Sequence, residues 1–166
     1  MALEQKKVYL LLGSNMDDRF QMIRAATGEI EKRVGKLLAS SSFYETAAWG
    51  KEDQESFINQ AMVVQTELSA EAVLEIVLDI ELELGRERLE HWGARLIDID
   101  LIFFESEVIN IPDKLIIPHP QLQYRRFVLE PLSEIAGQFV HPILQLSVSD
   151  ILTSLPDKLS VSKINL

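Results

Sequence analysis

The spacing of apolar residues switches back and forth between strand and helix periods along residues 8–104, and the order of those switches restricts the fold more than any other property of the chain. Residues 8–12 form an unbroken apolar run of buried-strand length that stops at Gly13-Ser14-Asn15. Phe20, Ile23, Ile30 and Val34 then recur at helical spacing, with Asp17 or Asp18 placed to cap the start and Gly35 at the stop. Residues 37–46 and 57–68 return to strand patterning, separated by an irregular stretch around Ala47-Ala48-Trp49-Gly50-Lys51. Ser69 can cap a second helix that runs to Leu84 and ends at Gly85, with Val73, Leu74, Val77, Leu78 and Leu84 as its buried stripe. A charged loop, 86–95, precedes a last clear strand, 96–104. Strand–helix–strand–strand–helix–strand is the order of a ferredoxin-like α+β sandwich, a largely antiparallel sheet with its helices on one face. Beyond Ile117 the pattern weakens into a C-terminal extension: a helix beginning within 126–133 and interrupted by Pro131, then a short one over 149–155. No Gly/Ser/Pro-rich linker or repeat divides the chain, so residues 1–166 are read as one domain with its core over about 7–155.

Charge and composition narrow the function classes. A net charge of −10 excludes a protein that tracks a nucleic-acid backbone, which needs a basic footprint, but not local binding of a small anion. Arg86, Arg88, Arg95, Arg125 and Arg126 gather in one central stretch, either as chance clustering on the surface or as a pocket for something with several negative charges. With no cysteine there is no disulfide framework, thiolate metal site or thiol nucleophile. The early apolar run is too short for a signal-peptide core or a bilayer span. A cytoplasmic monomer with no membrane partner is the expectation.

The sharpest local motif is Leu96-Ile97-Asp98-Ile99-Asp100-Leu101-Ile102. Residues two apart on a strand share a face, so Ile97, Ile99, Leu101 and Phe103 pack one way while Asp98 and Asp100 point together the other way. Paired carboxylates on an apolar strand are solvated at an exposed strand end or compensated by a cation, and hard oxygen donors of this kind suit Mg²⁺ with phosphate oxygens. Arg95 lies just before the pair, with Arg86 and Arg88 on the same loop, which is equipment for phosphoryl transfer. Neither GxxxxGK[ST] nor GxGxxG occurs, so side chains and metal, rather than a glycine-rich loop, would hold a triphosphate. Trp92 can stack on a planar ring or anchor the loop. Glu81, beside the apolar stripe near a helix C-terminus, either pairs with an arginine such as Arg86 or lines the site. His119 sits between Pro118 and Pro120, which restrict its backbone and present its imidazole in one place.

Taken in order, these segments carry a resemblance. Leu12-Gly13-Ser14-Asn15 with Asp18-Arg19, Ser42-Phe43-Tyr44-Glu45-Thr46, Asp53-Gln54, Phe57-x-Asn59 and Ile80-Glu81 run through the first half. Gly85-Arg86-x-Arg88, Trp92-Gly93-Ala94-Arg95, Asp98-Ile99-Asp100, Pro118-His119-Pro120 with Arg125, and Phe127 with Val128-Leu129-x-Pro131-Leu132 complete it. The ordered set resembles the 6-hydroxymethyl-7,8-dihydropterin pyrophosphokinases of folate biosynthesis, over nearly the whole chain. The resemblance implies a ferredoxin-like core and transfer of the terminal diphosphate of ATP to the pterin hydroxymethyl group, with two Mg²⁺ ions. It implies that Asp98 and Asp100 hold the metals and that Arg86 and Arg95 close over the triphosphate. Glu81, Arg88, Lys114, His119 and Arg125 would serve ATP; Thr46, Phe57, Asn59, Trp92 and Phe127 would serve the pterin. Asn59 suits that role, since an amide offers both donor and acceptors to a pterin edge. Ala94 and Ala47-Ala48 replace residues that are commonly proline in the family, changes that loosen loops without removing a functional group. Another metal-dependent phosphotransferase with a different acceptor, and a non-catalytic ferredoxin-like binding module, stand as the alternatives.

Overall fold

The first strand is apolar on both sides, so it belongs in the interior of a sheet covered on both faces. In the computed structural model, residues 4–15, 18–46, 56–86, 97–156 and 161–164 are described. In chain order the elements are β1 (Lys6–Ser14), α1 (Arg19–Arg33), β2 (Gly35–Ser40), β3 (Phe43–Thr46), β4 (Phe57–Thr66), α2 (Ala70–Arg86) and β5 (Asp98–Phe104). A small hairpin, β6 (Ile109–Ile111) and β7 (Leu115–Ile117), follows, then a 3₁₀ turn (Leu122–Tyr124), α3 (Arg126–Ala136), α4 (Val148–Ser154) and β8 (Val161–Ile164).

The main sheet runs β5-β1-β4-β3-β8, with β2 paired to β4 beside β3, and its strand pairs are antiparallel. With β2 and β3 counted as one interrupted strand, the core order is fourth–first–third–second, as a ferredoxin-like sandwich requires. Val8, Leu10 and Leu12 pack with Ile23, Ala26 and Ile30 of α1 and with Val73, Val77 and Ile80 of α2. Full burial of each large aliphatic among them stabilises the fold by about 1.5–3 kcal/mol relative to exposure. Tyr9 and Leu11 face the other way, against Val128, Leu129 and Leu132 of α3 and Val148 and Ile151 of α4. The expected helices thus cover one face, and the C-terminal extension covers the second.

Local chemistry explains the boundaries. Asp18 caps α1, its side chain accepting the Gln21 N–H at 3.0 Å. Ser69 does the same for α2 through the Ala72 N–H at 3.2 Å. Five details depart from the sequence pattern. Phe103 packs on the face opposite Ile97, Ile99 and Leu101, because a register shift between β1 and β5 at Tyr9/Leu10 interrupts the strand period. Helix α2 continues through Gly85 to Arg86. Its buried stripe is Val73, Val77 and Ile80, while Leu78 is 46% exposed, because the helix turns its 74/78 flank toward a cavity described below. Helix α3 is not interrupted by Pro131, whose ring is buried in the core while the helix runs on to Ala136. The expected strand 37–46 is two strands: the Ser41 N–H donates to the Ala61 carbonyl and Ser41 Oγ accepts the Ala61 N–H, at the run of three serines where the strand breaks.

Candidate active site

Strand register builds the site. Gly13 of β1 lies opposite Asn59 of β4 on one side and Asp98 of β5 on the other, and Asn59 lies opposite Tyr44 of β3. Directly opposed residues of antiparallel strands project from the same face. Tyr44, Asn59, Gly13 and Asp98 therefore form one row across four strands, on the face that α3 and α4 cover farther along. Asp100, two residues on from Asp98 and opposite Leu11, shares that face. Both aspartates are half-buried.

The Asn59 end of the row is apolar and shaped around two unusual side chains. Asn59 and Thr46 are each only 5% exposed, and Thr46 Oγ1 has no hydrogen-bond partner among the described residues. A buried hydroxyl left so costs roughly 1–3 kcal/mol, a deficit that a ligand can remove. Phe57, directly opposite Thr46, leaves its ring 36% exposed. Phe127 projects from the first turn of α3, partly buried against the same core, with the Arg125 guanidinium 5.6 Å from its ring centre.

At the other end, β5 is the edge of the sheet, and the last turns of α2 reach over that edge. Glu81 Oε2 accepts the N–H of Ile99, the residue between the two aspartates, at 2.6 Å. Beyond the edge lies a cavity of about 410 Å³ lined by Leu74, Leu78 and Glu81 of α2, Asp100 of β5, and Lys114, Ile116 and His119 of the hairpin region. Lys114 Nζ lies 3.1 Å from Glu71 and 3.9 Å from Glu75 of α2, an exposed ion pair of small worth. The His119 N–H donates to the Ile102 carbonyl at 3.0 Å, which ties the Pro-His-Pro segment to β5. His119 Nδ1 accepts the Gln121 N–H at 3.1 Å, so the neutral ring carries its proton on Nε2. Burial pushes the imidazole below the usual histidine value; Asp100 opposes this shift and Arg125 adds to it.

The expected residues therefore fall into two neighbouring groups, with Asp98 and Asp100 between them. Thr46, Phe57, Asn59 and Phe127 belong to the sheet face, and Glu81, Lys114 and His119 to the cavity at its edge. Arg88, Trp92, Arg95, the side chain of Arg86 and the substituted Ala47, Ala48 and Ala94 lie outside the described residues. Sequence reasoning missed Leu74, Leu78 and Ile116 as cavity walls. Leu78 and Ile116 are exposed aliphatics beside a polar site, a signal that only exposure reveals. A larger hollow of about 620 Å³ near the end of α3 contains none of the expected residues. Glu134 there is committed to structure, accepting from Ser42 N–H and from the Tyr44 hydroxyl at 2.7 Å.

No three His, Cys, Asp or Glu side chains converge on a metal position among the described residues. Two strand carboxylates are nonetheless a fitting donor set for Mg²⁺ that reaches a site with phosphate oxygens already attached, since such ions rely on one or two protein carboxylates. Nor is any described helix long and apolar enough to cross a membrane.

Known proteins resemble this chain in sequence and in fold. The family model of 7,8-dihydro-6-hydroxymethylpterin-pyrophosphokinase matches residues 9–137. The 2-amino-4-hydroxy-6-hydroxymethyldihydropteridine pyrophosphokinase of Methylorubrum extorquens is 40% identical over 135 residues, covering 81% of this chain and 85% of that protein. Its Bacillus subtilis counterpart is 41% identical over 131 residues, covering 78% of each. The folic acid synthesis protein fol1 of Pneumocystis carinii is 37% identical over 156 residues, but this chain spans only 21% of its length. A solved HPPK-DHPS structure with substrates shares the fold at a TM-score of 0.71 and 17% identity, across 91% of this chain and 43% of that one. A Plasmodium falciparum HPPK-DHPS triple mutant does so at 0.74 and 18%, over 90% and 43%.

Fold and relatives define a transferase of the pyrophosphokinase class. The chain belongs to the 7,8-dihydro-6-hydroxymethylpterin-pyrophosphokinase family, which acts in folate synthesis.

Proposed function

We propose that the chain, as a single-domain cytoplasmic monomer, transfers the terminal diphosphate of ATP to 6-hydroxymethyl-7,8-dihydropterin, releasing AMP. The observation that carries the reading is the position of Asp98 and Asp100 between the sheet-face residues Thr46, Phe57 and Asn59 and the edge cavity, which Asp100 lines. A planar acceptor in the first and a nucleotide in the second would meet at the two carboxylates. The Thr46 hydroxyl, without a partner among the described residues, the buried Asn59 amide and the exposed Phe57 ring favour a flat heterocycle over other acceptors. Asn59 and Thr46 would read its hydrogen-bonding edge, with Phe57 and Phe127 as apolar walls and Trp92 as a lid. Leu74, Leu78 and Ile116 would sandwich the nucleotide base, and Glu81, Arg88, Lys114, His119 and Arg125 would hold the nucleotide or its phosphates.

The pterin hydroxymethyl oxygen forms a bond to the β-phosphorus of ATP and releases its proton to water, while the bond from that phosphorus to the α-phosphate oxygen breaks and AMP departs. Asp98 and Asp100 would hold two Mg²⁺ ions, which when bound neutralise phosphate oxygens. His119 supplies an Nε2–H donor, fixed by its Nδ1 bond, toward the phosphates. Arg86 and Arg95 neutralise charge on the triphosphate, and much of the remaining acceleration comes from holding acceptor and phosphorus in line.

The test measures AMP released from ATP and Mg²⁺, with and without the pterin, for wild type and Asp98→Ala. Pterin-dependent AMP that the variant loses supports both the reaction and the metal site. Folded protein that makes no pterin-dependent AMP sinks the assignment; AMP that survives Asp98→Ala keeps the reaction and removes the metal role.

A further inference from the structure

Gly13 stands between the two ends of the site, opposite Asn59 and Asp98. It lies inside β1 with an extended backbone, a conformation open to any residue, so no turn demands glycine there. Glycine inside a strand weakens the strand and commonly marks a close approach by another group. Here that group is identifiable. A Cβ on Gly13 would overlap Asn59 Oδ1 and come within 3.6 Å of Asn59 Cγ. At Gly35 the obstacle would be the main chain of Gln65, so that glycine serves strand packing. At Gly13 it is the functional end of a buried side chain.

We propose that Gly13 is a positioning residue for the acceptor: its missing side chain makes the slot in which the Asn59 amide lies across β1, directed along the row toward Asp98. The inference rests on the reading of Asn59 as a pterin contact. It adds that the amide is aimed by the absence of a neighbour's side chain. An alanine at position 13 pushes the amide out of the slot by rotation about a flexible side chain, which leaves the strand register intact. The acceptor then loses its paired hydrogen bonds while the nucleotide cavity, on the far side of β5, is untouched.

The experiment is a double-mutant cycle of Gly13→Ala and Asn59→Ala, read by pterin KM, kcat, melting temperature and equilibrium binding of a fluorescent ATP analogue with Mg²⁺. Two neutral hydrogen bonds correspond to roughly a tenfold to hundredfold rise in pterin KM for either single variant. ATP-analogue affinity stays at the wild-type value, and the double variant is no worse than Asn59→Ala, because the clashing atom is already gone. An unchanged pterin KM in Gly13→Ala overturns the inference while leaving Asn59 its role. A double variant carrying the full product of both losses also overturns it, since Gly13 would then act independently of Asn59. If Asn59→Ala alone leaves pterin KM unchanged, the pterin reading of that residue has failed and takes the inference with it. Should Gly13→Ala melt early, the double variant must recover stability; one as unstable as the single variant overturns the proposal.

Discussion

Glu81→Ala tests whether the bond from α2 to β5 supports the carboxylate pair. The Glu81 carboxylate accepts the Ile99 N–H at 2.6 Å, on the outer edge of the sheet where, among the described residues, no strand is hydrogen-bonded to β5. A hydrogen bond to a charged group contributes about 1.5–3 kcal/mol. Glu81 is only half-buried, so water partly replaces it in the variant, and the lower end, about 1.5 kcal/mol, applies. For a chain of this size each kcal/mol moves the melting temperature by about 2–4 °C, so calorimetry of ligand-free protein registers a fall of roughly 3–6 °C. Glu81→Gln keeps an acceptor oxygen and loses less. A second effect follows from position. Ile99 lies between Asp98 and Asp100, so loosening its backbone lets both carboxylates drift and weakens binding of ATP with Mg²⁺ in an equilibrium titration. A Glu81→Ala protein that melts with wild type refutes the structural part. One that melts early but binds ATP with Mg²⁺ as tightly as wild type refutes the link from this bond to the carboxylates.

Two further outcomes follow from other parts of the fold. His141 is buried, its Nδ1 accepts the N–H groups of Ile143 and Leu144 at 3.1 Å each, and burial pushes its pKa below the ordinary value. The stability it contributes is therefore complete above its unfolded pKa of about 6.5 and is lost as pH falls through the lowered folded value. His141→Asn, whose amide oxygen can accept the same N–H groups, should reduce that acid loss in urea titrations; His119 contributes a slope of the same sign. Gly28, inside α1, has nothing within 4 Å of where a Cβ would sit, so Gly28→Ala should stabilise the fold by about 0.5–1 kcal/mol in denaturant melts.

The core of the fold was legible wherever one period held long enough to dominate. Strands β1, β4 and β5 and helices α1 and α2 each bury a continuous apolar face, and their order alone specified the sandwich. The features that escaped are short or depend on tertiary contacts. Strands β6, β7 and β8 have three or four residues, too few to show a period. The break between β2 and β3 arises from hydrogen bonds of Ser41 to Ala61, twenty residues away, which no local pattern announces. Pro131 reads as a helix breaker, yet although it lies in the middle of α3 and removes an interior N–H, burial of its ring and of Val128, Leu129 and Leu132 holds the helix together.

The site divides along the same line. Asp98 and Asp100 were readable because strand period alone puts both on one face. Their relation to Asn59 was not, because it depends on register between strands that are distant in sequence: Gly13 pairs with Asn59 forty-six residues on and with Asp98 eighty-five residues on. Sequence motifs named the chemistry and could not say which motifs are neighbours. Register does so here, and it also explains why a glycine follows the apolar run of β1. In a row four strands wide, the middle position must stay empty for the amide on one side to reach across. The same geometry limits the acceptor. The distance from Asn59 to Asp98 spans two interstrand gaps, roughly 10 Å, which on the proposed reading a flat molecule with its reactive arm at the end opposite its hydrogen-bonding edge would bridge. On that reading, acceptor choice is a property of strand pairing as much as of any single side chain.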